Sequence, residues 1–137
     1  RVPNNELPGY YCRANVFVLP SYYEAFAKVV IEAMACGVPA VSSRMGGALD
    51  AIEDGKTGLL FEYGNVDALS NAILSILDDD RLAKRMGALA RMRVQKYFTW
   101  KEVANRVDAA YRQALEGGRR PNIEEPIALA PTPTFGA

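Results

Sequence analysis

A short apolar run that stops at a proline, followed by a helix-forming segment that stops at a glycine, most constrains the fold of this chain. Residues 15–20 are apolar and β-branched up to the proline, which predicts a buried parallel strand. Residues 28–36 predict a helix that ends at Gly37, with Pro39 just beyond it. A strand followed closely by a helix is typical of an α/β sheet, in which ligands bind at the carboxyl ends of the strands.

Two glutamates flank the beginning of the predicted helix. Glu24 lies in the strand-to-helix loop, and Glu32 follows on the helix after seven intervening residues. Backbone N–H groups at a helix start bind phosphate, a carboxylate further along the helix can accept from the vicinal diol of a ribose, and one in the loop can accept from sugar hydroxyls. The combination suits a nucleoside diphosphate sugar, although on spacing alone a salt-bridging surface pair is the better interpretation.

The remaining pattern predicts an α/β fold with a Rossmann-like parallel sheet and flanking helices, ending in helices. The further predicted elements are a helix at 6–14, strands at 39–43 and 57–62, a short helix at 46–52, and helices at 66–77, 82–97 and 103–115. From Gly117 onward glycine, arginine and proline dominate, so we predict a domain over 1–116 and a disordered tail over 117–137.

Composition narrows the function classes. Half of the 137 residues are apolar and the formal net charge is zero, which favours a soluble domain and does not favour a nucleic-acid partner. The chain contains no histidine, which excludes a His-dependent triad and, with two cysteines, disfavours a zinc site. Cys12 and Cys36 are predicted to be buried free thiols, as in a cytoplasmic protein. No signal peptide or spanning run is visible in the sequence.

Three features leave alternatives open. Asp78-Asp79-Asp80 contains a metal-binding Asp-x-Asp pattern, but a helix N-cap explains it better, so we predict no metal. Residues 81–106 contain eight Lys or Arg and one acid, which fits a solvated face better than peripheral contact with the inner face of a membrane. The N–H groups of Gly46-Gly47 point to a ligand cleft, or the pair forms a simple tight turn.

The segment from 20 to 40 reads PSYYEAFAKVVIEAMACGVPA. It resembles the family 4 retaining glycosyltransferases, whose GT-B fold has a C-terminal domain with the pattern Pro-Ser-x-x-Glu-Gly/Ala-Phe-Gly-x-x-x-x-Glu-Ala-x-Ala-x-Gly-x-Pro-Val. The resemblance continues through 42–50 and 54–61 and covers roughly residues 1–115. It implies part of the C-terminal domain of a GT-B protein, truncated at its N-terminus. The missing N-terminal domain would bind a carbohydrate or lipid-linked acceptor.

The resemblance implies roles for individual residues. Glu24 is expected to face the donor sugar near the reacting carbon, with a positioning and electrostatic role, and Glu32 to bind the ribose hydroxyls. The other implied donor-binding residues are Ala25, Phe26, Ala27, Lys28, Val29, Gly46, Gly47 and Val2, the last beside the base. The implied donor is a UDP- or GDP-sugar, used as a substrate with no further cofactor. Polysaccharide biosynthesis is the expected setting.

Two departures from the family pattern bear on this site. Ala27 replaces a favoured glycine, so the phosphate site requires a negative φ at this residue. Lys28 stands where an apolar residue is more common, and it either adds a cation near the diphosphate or extends into solvent. The expected function is transfer of a sugar with retention of configuration by the full-length protein, the fragment alone being inactive. The alternatives are a non-catalytic nucleotide-binding module or another GT-B enzyme, an epimerase or a phosphorylase.

Overall fold

The computed structural model describes residues 2–117. Its elements are α1 (Leu7–Tyr11), β1 (Phe17–Leu19), α2 (Lys28–Ala35), β2 (Ala40–Ser43), α3 (Gly46–Ala51), β3 (Gly58–Phe61), α4 (Val66–Leu77), α5 (Asp80–Tyr97) and α6 (Trp100–Gly117). The predicted α/β order and the terminal run of helices are confirmed. The disorder predicted for 117–137 falls outside the described residues, apart from Gly117 at the end of α6.

The three described strands form one parallel sheet in the order β1-β2-β3. In the register of this sheet, Val18 pairs with Val41, and Val41 pairs with Leu59. All four residues of the central strand β2 are buried. Because the strands are parallel, their carboxyl ends lie at one edge, and the loops that follow β1 and β2 are neighbours there.

The core lies on both faces of this sheet. Ala40 of β2 belongs to a cluster that includes Val30 and Met34 of α2, with helices α3 and α5. Val41, the next residue, belongs to a second cluster with Ile76 of α4 and Met86 of α5. Successive side chains of a strand point to opposite faces, so β2 contributes to both clusters.

An arginine of α5 hydrogen-bonds to the last residues of α3. Arg93 of α5 donates from Nε to the Ala51 carbonyl oxygen and from Nη2 to that of Asp50, both at 2.9 Å. Its side chain is only 15 % exposed and lies 3.9 Å from a carboxylate oxygen of Glu53. These carbonyls end a helix and lack intrahelical donors, so the arginine satisfies them and complements the helix dipole.

The acidic run before α5 caps that helix. Asp79 Oδ1 accepts from the N–H groups of Arg81 at 2.9 Å and Leu82 at 3.0 Å. The N-cap interpretation of residues 78–80 is therefore confirmed. Within residues 2–117, no group of three or more His, Cys, Asp or Glu side chains is arranged to hold a metal ion.

The basic residues of α5 divide between two environments. Lys84 is exposed and pairs with Asp80 at 3.8 Å, whereas Arg93 is largely buried against α3. The solvated-face interpretation therefore holds for Lys84 and not for Arg93. In the described part of the chain, no helix has the length and apolarity needed to cross a bilayer.

The prediction that both cysteines are buried is wrong for Cys12. Cys12 is exposed and Cys36 is partly buried. Cys12 follows α1, a five-residue helix with no buried residue, so no core encloses its thiol. Burial, followed by hydrogen bonding to Cys12, raises the pKa of the Cys36 thiol to about 11, which keeps it protonated at neutral pH.

The chain divides into two compact units, one ending at Glu102 and one beginning at Val103. The described part of the second unit is the remainder of α6. Its apolar residues Val103, Val107 and Tyr111 are exposed at the predicted helical spacing. Arg112 Nε donates to Asp108 Oδ2 at 2.7 Å one turn away.

Helix α5 closely approaches the backbone just after α2 at two glycines. Gly37 ends α2 with φ 78°, as its position after the helix predicts. A Cβ on Gly87 of α5 would collide with the Gly37 carbonyl oxygen and lie 2.9 Å from the Gly37 carbonyl carbon. Only glycine at 87 permits this close approach of the two backbones.

We expect Gly87→Ala to lower the free energy of unfolding by about 1–3 kcal/mol, because the added methyl forces the helices apart. Urea unfolding measures the change. The control is Gly9→Ala in α1, where a Cβ would meet no atom within 4 Å. That variant should match the wild type or exceed it by up to about 1 kcal/mol, since alanine favours a helix. A Gly87→Ala protein as stable as the Gly9→Ala control would contradict the close approach of the two backbones.

Candidate functional site

The loop between β1 and α2 lies at the carboxyl edge of the sheet and contains Glu24. It begins at Pro20, directly after β1, and continues to Ala27, the residue before α2. Glu24 is partly buried, and its carbonyl oxygen accepts from the N–H group of Gly47 at 3.1 Å. The loop is therefore bonded to the start of α3.

Two buried serines of β2 fix the first part of this loop. Ser42 Oγ donates to the Leu19 carbonyl oxygen at 3.1 Å, and Ser43 Oγ donates to the Ser21 carbonyl oxygen at 2.5 Å. Both serines are nearly inaccessible to solvent. These hydrogen bonds satisfy the buried hydroxyls and join the loop to the neighbouring strand.

The Gly46-Gly47 pair is a close-approach site for the same loop. Gly46 has φ 42°, in the left-handed region that favours glycine. A Cβ on Gly47 would lie 2.6 Å from the Phe26 Cα atom and 2.7 Å from the Ala27 nitrogen. The pair is thus more than a tight turn, and the Gly47 N–H is occupied by Glu24. A donor contact from these glycines stays a prediction.

Ala27 has the negative φ that the phosphate site requires. Its φ is −71° and its ψ is 61°, and the Lys28 N–H donates to the Phe26 carbonyl oxygen at 2.7 Å. This is an inverse γ-turn centred on Ala27. The Ala27 side chain is fully buried in the core cluster with Val30. Alanine therefore replaces glycine here without strain, and its methyl group adds to the core.

The turn determines which N–H groups remain available at the start of α2. The Lys28 N–H is bonded within the turn, so a contact from it to a ligand requires that turn to open. Neither the Ala27 nor the Val29 N–H group has an acceptor among residues 2–117, but Ala27 is fully buried, so of the two only the Val29 N–H lies on a partly exposed residue. Unpaired N–H groups at a helix start, with the helix dipole behind them, favour an anion.

Glu32 lies on the second turn of α2 and has two neighbours with hydrogen-bond donors. Tyr11 donates its hydroxyl to Glu32 Oε2 at 3.0 Å, and Lys28 Nζ lies 3.6 Å from Oε1. The Glu32 side chain is 32 % exposed, so part of the carboxylate remains accessible. Lys28 is 73 % exposed, so it both extends into solvent and pairs with Glu32. Extension into solvent is thus what the structure shows, and a position of this lysine near the diphosphate stays a prediction.

Burial and the adjacent Glu32 carboxylate, in that order, raise the pKa of Tyr11 to about 12. The hydroxyl therefore stays protonated at neutral pH and remains a donor to Glu32. Nothing in the local sequence pattern selects Tyr11, because that pattern does not show that α1 packs on α2.

The other predicted site residues lie in two places, the loop and first turn that begin α2 and the segment before α1. Ala25 and Phe26 are exposed in the loop, and Val29 is partly buried in the first turn of the helix. Val2 is partly exposed in the segment before α1. Its role beside a base stays a prediction, as does each ligand role assigned to these residues.

The sequence profile described as "Glycosyl transferases group 1" matches residues 1–93. The chain belongs to this family. It is 40 % identical over 115 residues to the glycogen synthase of Mycobacterium tuberculosis (strain ATCC 25618 / H37Rv), covering 84 % of the chain and 28 % of that protein. The chain therefore spans less than a third of the length of this relative.

Solved structures give the same result for the fold. Sucrose-phosphate synthase from Thermosynechococcus elongatus is 42 % identical with a TM-score of 0.78, over 85 % of this chain and 29 % of that one. A mutant of S. aureus TarM in complex with Fondaparinux, α-GlcNAc-glycerol and UDP is 26 % identical with a TM-score of 0.73. That match covers 79 % of this chain and 22 % of TarM. The GT-B type of fold predicted from the resemblance is confirmed.

We expect Gly47→Ala to displace the segment from Glu24 to Ala27, because the new methyl group overlaps its backbone. Amide NMR shifts and hydrogen exchange of residues 24–29 measure the displacement. Gly9→Ala, which adds a methyl group in open space, is the matched control and should leave these signals unchanged. Unchanged loop signals in Gly47→Ala would contradict the close approach.

Proposed function

We propose that this chain binds the nucleoside diphosphate sugar donor of a retaining glycosyltransferase, which transfers the sugar to an acceptor hydroxyl. One observation carries the proposal. The unpaired N–H group of Val29, a partly exposed residue at the start of α2, lies in sequence between two partly accessible carboxylates, Glu24 in the loop and Glu32 on the helix. The family membership supports transfer, and the UDP complex of TarM supports a nucleotide as part of the donor.

Each part of such a donor has a candidate partner. The N–H group of Val29 would donate to a diphosphate oxygen, and the N–H of the fully buried Ala27 would do so only after the loop moves. Glu32 Oε1 would accept from the ribose hydroxyls, and Lys28 Nζ would then turn from Glu32 toward the phosphates. Glu24, joined to α3 through its carbonyl oxygen, would present its carboxylate to the sugar.

The chemistry proposed here depends on stabilising the departing diphosphate. As its bond to the anomeric carbon breaks, negative charge develops on the leaving oxygen, and preoriented N–H donors stabilise that charge. Glu24 orients the sugar and stabilises positive charge near the reacting carbon, so its role is positional and electrostatic. The acceptor and the remaining cationic contacts would come from other parts of the full-length protein. No metal takes part in this scheme, and contact of residues 81–106 with a membrane stays the less favoured alternative to a solvated face.

We expect Glu32→Ala to weaken binding of a bare nucleoside diphosphate by roughly ten- to a hundredfold, because hydrogen bonds to a charged group are lost. Glu24→Ala should bind the same nucleotide normally and lose turnover by on the order of a hundredfold. Calorimetry with UDP and GDP, with EDTA present, and a transfer assay measure the two effects in the full-length protein that contains this chain.

Glu116→Ala, at an exposed glutamate of α6, is the control and should change neither quantity. Normal binding and normal transfer by folded Glu24→Ala and Glu32→Ala proteins would contradict the proposal. Loss of transfer on adding EDTA would contradict the metal-free scheme. Nucleotide binding that depends on Glu32, without any transfer, would instead support a non-catalytic nucleotide-binding module.

A further inference from the structure

Tyr11 connects α1 to the carboxylate of α2 that is expected to bind ribose. It is the last residue of α1, and its hydroxyl donates to Glu32 Oε2 at 3.0 Å. Its ring packs edge-on against Phe17 of β1, with centroids 5.7 Å apart and an interplanar angle of 72°. Contact with β1 therefore holds the Tyr11 ring in place, and the position of the ring places its hydroxyl beside Glu32.

We propose that Tyr11 is a positioning residue that orients the Glu32 carboxylate for the two hydroxyls of a nucleotide ribose. The inference rests on the proposed function, because it takes Glu32 as the ribose ligand. It gives α1 a role in donor recognition, which the spacing of Glu24 and Glu32 alone does not predict.

The hydrogen-bond capacity of the carboxylate supports this role. An ionised carboxylate has two oxygens and about four acceptor sites. Tyr11 occupies one site on Oε2, which restricts the rotation of the group, and Oε1, which lies 3.6 Å from the exposed Lys28 Nζ, can accept from incoming donors when the lysine moves away. A glutamate side chain otherwise loses rotational freedom when it binds a ligand, so orienting it in advance strengthens binding.

Tyr11 suits this task better than Lys28, the other neighbour of Glu32. Lys28 is 73 % exposed, and an exposed ion pair between helix neighbours contributes little and is screened by salt. Tyr11 is partly buried, its ring is packed, and burial raises the pKa of its hydroxyl to about 12. The neutral hydroxyl persists as a donor until the pH rises toward that value, whereas the lysine is free to move toward a phosphate.

A merely structural role for Tyr11 makes a different prediction from a positioning role. If the hydroxyl only attached α1 to α2, its loss would weaken binding of every ligand by the same factor. If it orients Glu32, its loss weakens only the part of binding that comes from the ribose hydroxyls. The ratio of affinities for a ribose nucleotide and its dideoxy analogue separates the two roles.

The test compares Tyr11→Phe with the wild type in the full-length protein that contains this chain. Phenylalanine keeps the ring and its contact with Phe17 and removes only the hydroxyl. Calorimetry with UDP and 2′,3′-dideoxy-UDP, and with GDP and 2′,3′-dideoxy-GDP, gives the ratio for each base. We expect Tyr11→Phe to reduce the ribose preference by about three- to tenfold, with the affinity for the dideoxy nucleotides nearly unchanged.

Tyr10→Phe is the matched control, since Tyr10 is the exposed neighbour in the same helix and should leave the ratio unchanged. A double variant, Tyr11→Phe with Glu32→Ala, completes a thermodynamic cycle. If Tyr11 acts through Glu32, removing its hydroxyl has no further effect on the ratio once Glu32 is alanine. Melting curves of all variants confirm that the compared proteins are folded.

Two results would overturn the inference, and they differ in what they say of the proposed function. If Glu32→Ala abolishes the ribose preference and Tyr11→Phe keeps it, the positioning role is wrong and the ribose role of Glu32 stands. If Tyr11→Phe weakens binding of the ribose nucleotide and of its dideoxy analogue by the same factor, the positioning role is likewise wrong and the ribose role of Glu32 stands. If Glu32→Ala itself keeps the ribose preference, Glu32 is not the ribose ligand, and both the inference and that part of the proposed function fail.

Discussion

The backbone contact between Gly47 and the loop after β1 determines where Glu24 and the start of α2 lie. The Gly47 N–H donates to the Glu24 carbonyl oxygen at 3.1 Å, and the absent side chain leaves room for the backbone of Phe26 and Ala27. Helix α3 is in turn attached to α5 through Arg93. The loop therefore depends on contacts far from it in sequence, and a site built on it inherits the rigidity of the core.

The two carboxylates of the site are positioned by different parts of the fold. Glu24 depends on β2 and α3, which bond to its loop, whereas Glu32 depends on α2 and on Tyr11 of α1. Between them, next to the inverse γ-turn at Ala27, the Val29 N–H has no acceptor among residues 2–117 and lies on a partly exposed residue. This division suits a ligand with chemically distinct parts, because each part meets a group that is fixed independently of the others.

Local chemistry made most of the fold predictable from the sequence. The apolar run before Pro20 gave β1, and Gly37 marked the end of α2, because a proline and a positive φ act on neighbouring residues only. Contacts between segments that are distant in sequence could not be predicted from local chemistry. The donation from Tyr11 to Glu32 requires α1 to pack on α2, and the exposure of Cys12 follows from its position after α1, a helix whose own five residues are all at least partly exposed. The family pattern predicted that Glu24 and Glu32 form one site, but not how Gly46-Gly47 supports the loop.

A crystal structure of the full-length protein with a bound nucleoside diphosphate sugar tests the donor site most directly. We expect the ribose hydroxyls to lie on the Glu32 carboxylate with Tyr11 still bonded to Oε2, and a diphosphate oxygen to accept from the Val29 N–H. We also expect the sugar to lie against Glu24. A donor bound away from the start of α2, or a ribose with no contact to Glu32, would contradict it.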